Sequence, residues 1–85
     1  MRRIAIIGAI LENPGESQRD FNALVSQYRG LVKGRMGIPF DEEDTAVIAL
    51  TLQGELDDIN ALTGKLGSLP RVTVKTAISL RDAKA

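Results

Sequence analysis

Two stretches of this chain are apolar on both alternating faces, and they limit the fold more than any other feature. In RIAIIGAIL (3–11), Ile4, Ile6 and Ile10 lie on one side of an extended chain, with Ala5, Ile7, Ala9 and Leu11 on the other. TAVIALTLQ (45–53) is two-faced in the same way. A strand apolar on both sides belongs in the middle of a sheet. Two further segments are one-faced. LVKGRMGIPF (31–40) sets Val32, Met36 and Ile38 against Leu31, Lys33 and Arg35, and RVTVKTAIS (71–79) sets Val72, Val74 and Ile78 against Thr73, Lys75 and Ser79. Pro39 cannot donate to a ladder, so these read as edge strands.

Helical periodicity fills the gaps. Asn13 suits an N-cap, Pro14 the first helical position, and Glu16 the third residue of a capping box. Phe21, Leu24, Val25 and Tyr28 then recur on one helical face, and Gly30 stops the run. Gly54 and the acids Glu55, Asp57 and Asp58 open a second helix with a stripe of Leu56, Ile59, Leu62, Thr63, Leu66 and Leu69, closed by Gly67 and Pro70. The order strand-helix-strand-strand-helix-strand, with right-handed crossovers, predicts a ferredoxin-like βαββαβ α+β sandwich. Its antiparallel four-stranded sheet has strands one and three central, flanked by four and two, and both helices on one face. The core spans about residues 3–79 of a single domain, 1–85, and residues 80–85 are expected to form a flexible tail.

The uncovered face would then carry apolar side chains rimmed by Lys33, Arg35 and Lys75. Such a patch is unusual on a monomer and predicts a homo-oligomer, dimer or tetramer, packed sheet to sheet.

Composition removes whole classes of chemistry. The 85 residues hold no cysteine and no histidine, so disulfides, thiolate or imidazole metal sites, Cys nucleophiles and His bases are all excluded. Ser17, Ser26, Ser68 and Ser79 therefore have no histidine to activate them, and no enzyme is expected. Eleven basic residues balance eleven acidic ones, which argues against direct nucleic-acid binding. The aromatics Phe21, Tyr28 and Phe40 do not form a stacking platform beside Arg29, Lys33 and Arg35. Arg2-Arg3 before IAIIGAIL has the outline of a short signal peptide, yet no small-x-small site follows and Glu12 ends the run. The run is too short to span a bilayer, and a cytoplasmic location is expected.

The remaining motifs are weak. Gly8 lacks the companion glycines of a dinucleotide fingerprint, and TGKLGS (63–68) lacks the strand and Ser/Thr that a P-loop needs. Adjacent acids at Asp41, Glu42, Glu43 and Asp44 read as a solvated turn without the alternation of a calcium loop, so neither metal nor cofactor is expected. Asn13-Pro14-Gly15 is explained by capping. The same turn also presents a helix N-terminus suited to a carboxylate, with Gly15 allowing close approach.

ENPGES after an apolar first strand looks like the loop signature of ACT domains, small regulatory sandwiches that often bind amino acids at subunit interfaces. GRMGIPF, AVIALTLQG and INALTGKLGSLPRVTVKTA resemble, over residues 3 to 79, the family described as regulators of the iron-only hydrogenase system. That family is ACT-like and similar to the C-terminal domain of the nickel-responsive regulator. The nickel regulator's histidine and cysteine ligands have no counterpart here, so nickel sensing does not carry over. The nickel regulator's separate ribbon-helix-helix arm has no counterpart in these residues either, so a transcriptional role is expected to need a partner or another DNA-binding mode. The resemblance implies a non-enzymatic regulatory module with a small, amino acid-like anionic ligand near Asn13, Pro14 and Gly15. Gly34, Arg35, Met36 and Gly37 of a neighbouring subunit would form the opposite wall, with Arg35 facing the carboxylate. The alternative is an adaptor that docks a protein partner through its open face and takes no small ligand.

Overall fold

The computed structural model describes residues 1–84. Strands β1 (Arg2–Glu12), β2 (Val32–Phe40), β3 (Thr45–Glu55) and β4 (Val72–Ile78) form one antiparallel sheet in the order β2-β3-β1-β4. Helices α1 (Pro14–Gln27) and α2 (Leu56–Gly67) lie on one side of it. The two-faced strands are central and the one-faced strands are edges, as their patterns require.

The core has formed between the helices and one sheet face. Ala5, Ile7, Ala9 and Leu11 of β1 and Ala46, Ile48, Leu50 and Leu52 of β3 are buried there. Opposite them lie Phe21 and Val25 from α1 and Ile59, Leu62 and Leu66 from α2. Each helix contributes the stripe that its spacing predicts. Gly67 lets the end of α2 come close to β4, since a β-carbon there would sit 3.1 Å from Val74 Cγ2. One turn earlier, a hydroxyl pair of Thr63 and Thr76, 3.1 Å apart, links the same two elements.

Helix boundaries move by a few residues. Helix α1 ends at Gln27, and Tyr28 leads into a 3₁₀ turn over Arg29–Leu31. Strand β3 continues through Gly54 to Glu55, so α2 begins at Leu56. At Gly54 the end of the Leu31 side chain, from that 3₁₀ turn, fills the space a β-carbon would take, so a larger residue there would require Leu31 to move.

Strand β2 departs from its pattern. Val32 pairs with Leu52, but Gly34 pairs with Thr51, so a bulge at Lys33 shifts the alternation by one residue. Val32 therefore packs against the core, while Met36 and Ile38 take the other face. An unbroken period of two would have put all three together.

The face without helices carries Ile4, Ile6 and Ile10 of β1 with Met36, Ile38 and Phe40 of β2, each 44–59% exposed. Residues 80–84, read as a flexible tail, run back past the start of β1. Asp82 pairs with Arg3 at 3.2 Å, the Ala83 N–H donates to the Arg2 carbonyl at 2.7 Å, and Gln53 donates to the Lys84 carbonyl at 3.2 Å. None of the described helices is long and apolar enough to cross a membrane.

Neighbouring residues of β1 test this division of faces. Ile7→Ala should lower the free energy of unfolding by about 2–5 kcal/mol, as for other buried truncations. Ile6→Ala, one position away and facing outward, should cost at most about 1 kcal/mol in dilute urea titrations.

Candidate functional site

The end of the sheet where β1 stops brings three connections together. The Glu12 N–H donates to the Arg71 carbonyl at 2.8 Å, and the Asn13 N–H donates to the Asp44 carbonyl at 2.9 Å. Asn13, Asp44 and Arg71 are also the non-glycine residues with positive φ, at 49°, 48° and 66°. Asparagine and aspartate tolerate that region better than most residues, whereas arginine has no such advantage. The three strained residues thus meet at one junction.

Side chains tighten it. The amide orientation that satisfies both neighbours of Asn13 donates Nδ2–H to Asp44 Oδ2 at 2.8 Å and accepts from Arg71 Nη1 at 3.2 Å. Arg71 also pairs with Glu16 at 3.0 Å, an exposed contact worth roughly 0–1 kcal/mol. The capping box expected of Asn13 and Glu16 does not form: Asn13 is left-handed and makes no side-chain cap bond. Its amide bridges two loops instead. Ser17, a buried polar residue, donates to the carbonyls of Glu12 and Asn13 at 3.2 and 3.4 Å.

This arrangement narrows what the α1 N-terminus can offer a ligand. Pro14 has no N–H, and those of Glu16 and Ser17 return to the Asn13 carbonyl at 2.8 and 3.2 Å. Among the described residues, that leaves the Gly15 N–H as the outward donor of the first turn. A β-carbon on Gly15 would meet nothing within 4 Å, so the approach is open.

The β2 candidates divide between the two faces. Met36, opposite Ala49, shares the open face with Ile38, whereas Arg35, opposite Leu50, and Gly37, opposite Ile48, lie on the helix side. Gly34 adjoins the bulge, opposite Thr51. Arg35 is therefore not part of the rim of the open face. Its Nη2 donates to Asn22 Oδ1 at 2.6 Å, and its guanidinium carbon stands 5.9 Å from the centre of the Phe21 ring. Lys75, opposite Gly8, is on the open face as expected. No hydrogen bond among the described residues joins Asn13, Pro14 or Gly15 to the 34–37 segment of the same chain.

Shifted ionisations lie at the other end of the sheet. The Met1 ammonium donates to Glu55 at 2.8 Å, which raises the amine pKa and lowers that of the carboxylate. Both groups are exposed and far along the strands from Asn13. No group of three or more acids that could hold a metal ion occurs among the described residues.

Asp44 stands out in the sequence only as one of four acids in a solvated turn, and Arg71 only as the start of an edge strand. An aspartate ending an acidic run is a weak signal for a left-handed turn, and an arginine after proline is none. Asn13→Ala should cost about 1–2 kcal/mol through its left-handed backbone. Asn13→Gly, which accepts that backbone freely, should cost less in the same urea titration. Equal losses would place the stabilisation in the amide bridge rather than in the dihedral angle.

The family described as "TM1266-like: Iron-only hydrogenase system regulator, putative" matches residues 3–76. The structure of uncharacterized protein TM1266 from Thermotoga maritima superposes with a TM-score of 0.88 at 34% identity, covering 95% of this chain and 100% of that one. A protein of unknown function from Nitrosomonas europaea, NE2512, aligns at 13% identity with a TM-score of 0.44 over 100% of this chain and 96% of its own, too distant to inform fold or function. No curated protein sequence gives a significant match. With a family match over most of its length and a fold shared with TM1266, the chain belongs to the TM1266-like family, described as regulators of the iron-only hydrogenase system.

Proposed function

We propose that this chain is a non-enzymatic regulatory module of the iron-only hydrogenase system that works as a homo-oligomer and responds to a small anionic ligand. The observation that carries the assembly is the helix-free sheet face, with six large apolar side chains about half exposed. Fully burying an Ile, Met or Phe side chain is worth roughly 1.5–3 kcal/mol, so the half still exposed on each is worth about 1 kcal/mol. Summed over both copies, that gives on the order of 10 kcal/mol of gross burial. Association itself costs about 4–15 kcal/mol. The two are comparable, so the reading is of weak, reversible pairing that a ligand can bias.

The anion reading draws on Asn13, Pro14 and Gly15 at the α1 N-terminus and on Gly34, Arg35, Met36 and Gly37 of β2. Arg35 supports it best, because among the described residues it has no carboxylate partner. The non-enzymatic reading rests on the lack of histidine and cysteine and on Ser17 donating to backbone carbonyls. A switch by population shift needs two assembly states of unequal ligand affinity: weak pairing through an apolar face would supply the two states, and a wall lent by the neighbour's β2 would supply the difference in affinity.

Sedimentation velocity over a micromolar concentration series tests the assembly. The unmodified chain should self-associate, and Ile6→Asp or Ile38→Asp should give folded monomers. A unmodified chain that stays monomeric throughout the series, or a variant that still associates, would overturn sheet-to-sheet pairing.

A further inference from the structure

The two helices cover the middle of the sheet but leave the helix side of β2 partly bare. Along that edge Arg35, Gly37 and Pro39 point toward the helices, as their pairing with Leu50, Ile48 and Ala46 requires. Gly37 has no side chain, and a β-carbon there would meet nothing within 4 Å. A recess of about 260 Å³ results, lined by Gln18 of α1, Arg35, Gly37 and Pro39 of β2, and Ala46 and Ile48 of β3. Its floor is apolar, since Ala46 and Ile48 are buried core residues.

Arg35 stands at this recess already oriented. The Asn22 amide oxygen takes one of its N–H groups at 2.6 Å, and the Phe21 ring lies under the guanidinium at 5.9 Å. Both contacts fix the plane of the fork, and neither cancels its charge. A guanidinium carries five N–H donors, so most remain for a ligand. Gln18 on the opposite wall can donate or accept through its amide.

We propose that this recess, within a single subunit, binds a small carboxylate bearing a short apolar tail. Arg35 holds the carboxylate through a bidentate fork, and the tail lies on Gly37, Ala46 and Ile48. The volume lies below the roughly 300–1,000 Å³ of drug-sized pockets, which suits a small metabolite. The proposal rests on the anion-binding reading above and moves its centre from the α1 N-terminus and a neighbouring subunit to one chain.

Amide-resolved NMR titration of the full chain tests it. The probes are isovalerate, 4-methyl-2-oxopentanoate and leucine, with the uncharged isoamyl alcohol as control. The carboxylates should give saturable shifts at Gln18, Gly37 and Ile38, and the alcohol should not. Arg35→Gln, which keeps a donor toward Asn22, and Gly37→Val, which fills the recess, should each weaken binding about tenfold or more while the rest of the spectrum stays folded. Shifts centred on Gly15 and lost in Gly15→Val, with Gly37→Val unaffected, would overturn the recess and leave the loop as the anion site. Equal binding of the alcohol would overturn the role of Arg35. No saturable shift with any carboxylate would overturn the anion reading itself, and the sedimentation series would still report separately on assembly.

Discussion

The antiparallel pairing of β1 with β3, unbroken from Arg2 opposite Glu55 to Glu12 opposite Thr45, is the constraint on which the rest of the molecule depends. It joins the two strands that are apolar on both sides. One side is satisfied by α1 and α2, whose stripes of Phe21, Val25, Ile59, Leu62 and Leu66 fit a single sheet face. The other side has no helix to meet it. The exposed isoleucines of β1 follow from the same pairing that builds the core, and a one-residue slip would exchange the two sets.

At the far end of that pairing the chain must turn three times in little space. Asn13, Asp44 and Arg71 take the left-handed region there, each at a cost of order 1–2 kcal/mol. Their mutual hydrogen bonds offset that cost. The Asn13 amide is then committed to Asp44 and Arg71 rather than to the helix it precedes. Strain of this kind persists only where surrounding contacts determine it.

Much of this was legible in the residues. Alternation placed Ile4 and Ile6 opposite Ala5 and Ile7, and the two-faced character of 3–11 and 45–53 gave the strand order. Helical spacing gave both buried stripes. The bulge at Lys33 was not legible, because Val32, Met36 and Ile38 also satisfy an unbroken alternation. Only the register against Leu52 and Thr51 separates the two readings. The charge of Arg35 is legible too, but unbroken alternation puts it on the open face, whereas it stands opposite Leu50 on the helix side. The capping box failed differently: Asn13 and Glu16 have the right spacing, but two loops distant in sequence compete for the amide. Local chemistry cannot reveal that competition.

Lys33 thus acts as a phase marker for the edge strand. If Lys33 paired in regular alternation instead of bulging, Val32 and Arg35, three residues apart, would fall on opposite faces of the sheet. Either the guanidinium would emerge among the isoleucines, or Val32 would leave the core. Loss of that one residue would instead straighten the edge and leave Val32 opposite Leu52 and Arg35 opposite Leu50, so the pairing on either side already fits a strand one residue shorter.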